Sequence, residues 1–186
     1  MIMKRWLPIL FICFVLSCKN GKQHIIKTPF QKIIFHTTGC YGWCPIYHLE
    51  VDSNRALKLH AEMVRRSAND YKGDSTKMGY FTGKVPDTTF NKLKNAFQAL
   101  GIDTLKFNEI TCCDGSIKTI IVYYNGKRKV MMSMTPPKAS NSLLGLLLTI
   151  CEQNNLMRSD STFKIENVNT LKVLDIRYPP KIKSKH

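Results

Sequence analysis

Two cysteines and two histidines around residue 42 are the side chains best spaced for chemistry. Cys40 and Cys44 flank Tyr41-Gly42-Trp43, and Pro45 follows. The runs on either side, Gln31 to Thr38 and Ile46 to Val51, read as strands. Ile33, Ile34 and Phe35 supply β propensity in the first, while Tyr47, Leu49 and Val51 alternate with His48 and Glu50 in the second. If these strands pair antiparallel about Gly42, facing residues have numbers that sum to 84. Cys40 then faces Cys44 and His36 faces His48, with all four side chains on the even-numbered face of the ribbon. The odd face, carrying Ile33, Phe35, Tyr47, Leu49 and Val51, is the natural core face.

That register admits several chemistries. Directly facing strand positions lie ~4.5–5.5 Å apart, which suits a Cys40–Cys44 disulfide. A bridge over so short a loop restricts little unfolded-state entropy, so the expected gain sits at the lower end of ~2–4 kcal/mol. Two thiolates with one or two imidazoles, Cys40, Cys44, His36 and His48, would instead suit Cu(I) or Zn. The Cys-x3-Cys-Pro string is similar to that of thioredoxin-like periplasmic copper chaperones. There the motif precedes a helix; here the residues after Pro45 alternate as a strand. A redox-active thiol pair is the third reading, but the spacing is not Cys-x-x-Cys and no helix N-terminus follows to depress a thiol pKa. Free, buried cysteines are the fourth. The disulfide is the expectation that an oxidising compartment favours.

The N-terminus argues for such a compartment. Lys4 and Arg5 precede an apolar run, Leu7 to Leu16, and Ser17-Cys18 follows. This is the charged, apolar, small-residue order of a secretory signal, and the run is far shorter than the ~20 residues of a membrane span. Val15-Leu16-Ser17-Cys18 resembles the lipobox of bacterial lipoproteins, with Val15 where Leu is commonest. The resemblance implies a signal peptide over 1–17, cleavage before Cys18 and lipid attachment (palmitate among the acyl chains) at that cysteine. Residue 19 is Lys rather than Asp, and no acidic cluster follows. The expected location is therefore the cell envelope, anchored in the outer membrane and facing the periplasm.

Composition sets the class. The chain has 186 residues, 44% hydrophobic and 22% charged, which suits one globular domain rather than a disordered chain. It holds 28 Lys and Arg against 13 Asp and Glu; Lys4 and Arg5 precede Cys18 and no acid does, so the remainder carries +13 (26 basic against 13 acidic). Such a surface favours anionic envelope components. Export argues against nucleic acid, and no groove-reading motif is present. Of seven cysteines, Cys13 lies in the leader; with Cys18 lipidated, five remain, so at least one is unpaired within the chain.

The remaining elements follow in order. Residues 18–30 read as a polar tether. Asp52-Ser53-Asn54-Arg55 is turn chemistry, and Ala56 to Met63 returns as a strand. Residues 64–78 read as a mobile loop, and Gly79 to Val85 as a short strand. Asp87 is the expected N-cap of a helix whose Phe90, Leu93, Phe97 and Leu100 share one face, ended by Gly101. Residues 102–116 are irregular. Ser116 to Tyr124 and Lys127 to Met134 form a hairpin across Asn125-Gly126. Ser140 or Asn141 caps a Leu-rich helix running to about Asn154, apolar most of the way round and expected to be buried. From Met157 the chain is polar, with Leu171 to Ile176 reading as one more strand, and 157–186 reads as a basic C-terminal extension. The expected fold is α+β: an antiparallel sheet of five to six strands with two helices packed on it, one domain over 31–156.

This order of elements, with Cys40, Tyr41, Gly42, Cys44, Pro45 and Tyr47 matching a Cys-aromatic-Gly-x-Cys-Pro-x-aromatic signature, resembles a Bacteroidota lipoprotein family called domain of unknown function 6438. The resemblance spans roughly residues 31–155. Asp-Gly is missing from the turn after Val51, and 157–186 extends past the family's usual end. The family implies no activity.

No other constellation carries chemistry. Adjacent Cys112 and Cys113 bridge only with strain. Cys151 in the Leu-rich helix reads as a small buried hydrophobe. His24 and His186 lie in the tether and the tail, and His60 reads as a surface strand residue. Glu50, Asp52, Glu109 and Asp114 lack partners for acid–base work. No catalytic residue and no cofactor are expected. The sequence points to an envelope lipoprotein acting as a non-enzymatic binding or structural module. The alternative is a periplasmic copper- or zinc-handling or thiol-redox protein using Cys40 and Cys44.

Overall fold

In the first strand, apolar residues stand at both odd and even positions, and the architecture follows from that. A computed structural model describes residues 29–41, 44–64, 73–107 and 115–168. The expected signal peptide, Cys18, most of the expected tether, Cys112, Cys113 and the strand expected at 171–176 lie outside the described residues. Among those described, seven strands form one antiparallel sheet: β1 (Lys32–Thr37), β2 (Ile46–Asp52), β3 (Ala56–Met63), β4 (Gly79–Lys84), β5 (Lys118–Tyr124), β6 (Lys127–Ser133) and β7 (Met157–Arg158). Their order across the sheet is β6-β5-β1-β2-β3-β4-β7, which puts β1 near the centre. Two helices, α1 (Asp87–Ala99) and α2 (Asn141–Cys151), complete the expected α+β fold. Among the described residues no helix is long and apolar enough to cross a membrane.

The helices cover the odd face. Ile33, Phe35, Tyr47, Leu49 and Val51 are buried there with Phe90, Leu93 and Phe97 of α1 and Leu143, Leu147 and Ile150 of α2. Phe30, just before β1, meets the rings of Phe90 and Phe97 edge-on at 5.8 and 5.4 Å. These contacts bind the first strand to the first helix by burial of aromatic surface. The second helix is not buried all round. Asn141, Ser142, Gly145 and Thr149 are exposed, and Leu146 and Leu148 are half-buried, because only one side of α2 meets the sheet and α1.

Neither expected side-chain cap forms. Asp87 is the first helical residue rather than the cap, which is Pro86, and its carboxylate pairs with Arg55. Ser140 lies in a short 3-10 turn that precedes α2, and its hydroxyl donates back to the Pro137 carbonyl at 2.7 Å. Helix α2 ends at Cys151, three residues before the expected Asn154. Gly101 does close α1, at φ +55.

The turns explain themselves chemically. Asn125 and Gly126 both take positive φ, 48 and 72, as a two-residue hairpin between β5 and β6 requires. Where Asp-Gly is missing after Val51, Arg55 takes the left-handed conformation instead, at φ 70. The Asp52 carboxylate compensates by accepting the backbone N–H groups of Asn54 and Ala56, both at 2.8 Å. Such side-chain capping is what lets a non-glycine residue turn the chain here.

The even face is covered too. Ile34 and its β5 partner Ile121 are fully buried, yet neither belongs to the core beneath the helices. Residues 157–168, the start of the expected C-terminal extension, lie over this face as a strap. Met157 and Arg158 pair with Thr82 and Phe81 of β4, and Ser159 donates its N–H to the Tyr80 carbonyl at 2.8 Å.

Candidate functional site: a histidine row beneath a strap

The β1–β2 register is the one the sum of 84 requires, from Lys32 opposite Asp52 to His36 opposite His48. Beyond His36 the strands part. The Thr37 hydroxyl fills the gap, donating to the Pro45 carbonyl at 2.7 Å and accepting the Tyr47 N–H at 2.9 Å. At the open end the Cys40 and Cys44 sulfurs lie 2.02 Å apart, at disulfide distance, with Cα atoms separated by 5.3 Å. Sulfurs so joined offer no thiolate to a metal or a substrate. Tyr41, in the same short loop, is 90% exposed. Cys151 is free and buried, and burial pushes its thiol well above the usual range.

Sequence reasoning paired His36 with His48 but missed how far the row runs. His60 of β3 pairs with His48, and Tyr80 of β4 pairs with His60. Thr119 of β5 faces His36 from the other side, and Met132 of β6 faces Thr119. One line of side chains therefore crosses six strands. Tyr80 stacks on His60 with ring centroids 4.2 Å apart and planes 5° from parallel; His60 stacks on His48 at 5.5 Å. His60, read alone as a surface residue, is the middle of this stack. The signal for it was the sheet register, which places even positions 36, 48, 60 and 80 in one line once four strands are paired.

His36 is the hub. Its Nδ1 lies 2.8 Å from the Nδ1 of His48, and its Nε2 lies 2.7 Å from the Glu166 carbonyl oxygen in the strap. His48 Nε2 lies 3.2 Å from a Glu62 carboxylate oxygen. A carbonyl only accepts, so His36 Nε2 carries a hydrogen and its Nδ1, in a neutral ring, accepts from His48 Nδ1–H. Where His48 also carries a hydrogen at Nε2, and with it a positive charge, it donates that N–H to the Glu62 carboxylate. The chain carboxylate–His48–His36–carbonyl is thus satisfied with a single hydrogen between the two Nδ1 atoms. Burial holds the His36 pKa below its ordinary value; the Glu166 carbonyl opposes this, and the charge of His48 adds to it. Burial, then His48, also lowers His60.

The strap is tied down by the side chain of the same Glu166. Its carboxylate accepts the Tyr123 hydroxyl at 2.8 Å and Arg128 Nε at 3.0 Å, with Lys32 Nζ at 3.6 Å. Burial, and then this hydrogen bond, raise the Tyr123 pKa. Phe163 meets Tyr80 edge-on at 5.1 Å, and Lys58 Nζ lies 5.9 Å over the Phe163 ring. Between strap and sheet a cleft of ≈ 590 Å³ opens over the histidine row, lined by His36, His48, His60, Tyr80, Phe163 and Lys164 among others. Stacked ring edges, hydroxyls and one lysine give it donors, acceptors and aromatic walls, which is binding chemistry. Among the described residues no group of three or more His, Cys, Asp or Glu side chains could hold a metal ion.

No curated protein matches the chain. A family model described as Domain of unknown function (DUF6438) matches residues 31–150, from the start of β1 through nearly all of α2. That stretch is well over half the chain, and it holds the cysteine turn and every strand of the histidine row; the chain belongs to this family of unknown function.

Proposed function

We propose that this protein is an exported envelope lipoprotein, anchored by lipid at Cys18 in the outer membrane and facing the periplasm, whose domain is a non-enzymatic binding module. The cleft of ≈ 590 Å³ above the histidine row is the observation that carries the binding reading. Its lining offers polar ring edges and Lys164 rather than an activated nucleophile or a carboxylate pair. The +13 of the chain after Cys18 directs it toward anionic envelope components, acidic glycans or lipid head groups, with no role for nucleic acid. The leader supports the anchoring: Lys4 and Arg5, the short apolar run and Leu16-Ser17-Cys18.

The binding reading is tested by titrating the full chain with a short uronic-acid oligosaccharide and, separately, with inorganic phosphate, following histidine ring resonances. Saturable shifts at His48 and His60 are expected, with the shift at His48 weakened in His60→Ala. Histidine rings of the cleft that shift with neither probe overturn the cleft as the anion site. Anchoring is tested by metabolic labelling with a fatty acid: wild type takes up label and Cys18→Ala does not. Equal labelling of the two overturns it.

A further inference from the structure

We propose that the facing imidazoles of His36 and His48 form a proton-operated latch: a second proton on the pair separates the rings and releases the strap from the cleft. The inference concerns regulation of the cleft and, for its biological consequence alone, rests on the binding reading above.

The geometry sets the condition. At 2.8 Å, two ring nitrogens can hold one hydrogen between them and not two. With both rings fully protonated, N–H would face N–H and the contact could not persist. One ring must then turn. His36 sits in β1, paired on both sides, so its backbone stays and its side chain rotates. Rotation carries Nε2 away from the Glu166 carbonyl, a polar tie between the histidine row and the strap. If His48 turns instead, it leaves Glu62, and the Nδ1–H of His36 is left without a partner.

The surrounding charges set the direction. From β3, a Glu62 carboxylate oxygen lies 3.2 Å from His48 Nε2, and His60 packs against the same ring. Tyr80 of β4 and Thr119 of β5 add no charge beside the row. From the strap come Lys164 and Glu166, but the Glu166 carboxylate is engaged by Tyr123, Arg128 and Lys32, and Lys32 also meets Glu50 at 3.5 Å. Glu62 is paired with His48, and Glu166 is shared among Tyr123, Arg128 and Lys32, so a second positive charge between the rings is compensated only in part. Burial first, and the charge of His48 after it, lower the His36 pKa in the same direction.

Hydrogen exchange of the full chain, without ligand and corrected for intrinsic rates, tests the latch. Residues 157–168 should open about fivefold more often at pH 5 than at pH 7.5, the size of one lost hydrogen bond. His48→Gln, whose amide donates to His36 Nδ1 but gains no proton, should remove that difference. Nitrogen chemical shifts of the wild-type rings should show, at pH 7.5, one shared hydrogen between the two Nδ1 atoms, a readout that needs no variant to fold. Strap protection independent of pH, unchanged pH dependence in His48→Gln, or two rings titrating independently would each overturn the latch. Because no ligand is present, a cleft that binds neither test anion leaves these outcomes unaffected, and failure of the latch leaves the anion titration standing.

Discussion

His36 shows how one residue can serve sheet, strap and site together. It contributes backbone to the centre of the sheet, a hydrogen bond to its cross-strand neighbour and another to residue 166. Both His36 and His60 are held below their ordinary pKa of 6.5. The folded state therefore binds fewer protons than the unfolded one, and the stability this contributes is full above about pH 6.5 and lost as pH falls through the folded values. Urea unfolding should show a lower midpoint at pH 5 than at pH 7.5, and replacing His36 and His60 by Gln should shrink that difference. Glu166 is the other residue on which the even face depends. Glu166→Gln keeps the shape but removes the charge that Arg128 and Lys32 face. We expect a loss of about 1–3 kcal/mol in equilibrium unfolding, as for hydrogen bonds to a charged group. A change within error would mean that the carboxylate is not what secures the strap.

At the scale of elements, the cysteine turn is a fastened corner. Thr37 carries the ladder past His36, and the Cys40–Cys44 pair closes the loop beyond it. Intact mass of the peptide spanning residues 40–44 should rise by two hydrogens on reduction, and Cys40→Ser should lower stability by about 2 kcal/mol. No mass change would remove the bridge from the account. The β5–β6 hairpin offers a cleaner case. A methyl group added at Gly126 would have nothing within 4 Å, so Gly126→Ala meets no clash and feels only the left-handed backbone at φ +72. A loss of about 1 kcal/mol is expected from chemical denaturation. Much of this level was legible in the sequence. Alternation marked β2, the Asn-Gly pair marked the hairpin, and the sum of 84 fixed the β1–β2 register. The helix caps were not legible. Asp87 has the chemistry of a cap, but its carboxylate pairs with Arg55, a residue brought near by the turn after β2.

For the molecule as a whole, the sheet is covered on both sides by different means. Helices α1 and α2 bury the odd face by apolar packing, whereas the strap holds the even face mainly through Glu166, Phe163 and the His36 bond. A chain ended after Leu156 should keep the helical layer but lose β7 and the strap. Its melting temperature should fall, and Ile34 and Ile121, fully buried here, should become reachable by an apolar-surface dye. An unchanged melting temperature would show the strap to be dispensable for the fold.

By itself the sequence determined the α+β class, the pairing of β1 with β2, the odd-face core and the facing of Cys40 with Cys44 and His36 with His48. These depend on period, turn chemistry and short-range register, all of which are written locally. Only the tertiary structure decided that His60 and Tyr80 extend the row, that residues 157–168 form a lid over it, and that Glu166 meets Tyr123, Arg128 and Lys32. The reason is separation along the chain: His36 and the Glu166 carbonyl are 130 residues apart, and a polar strap carries no periodicity that announces its partner. One clue was present. Ile33, Ile34 and Phe35 put apolar side chains on both faces of β1, and a strand buried on both faces needs a cover on each.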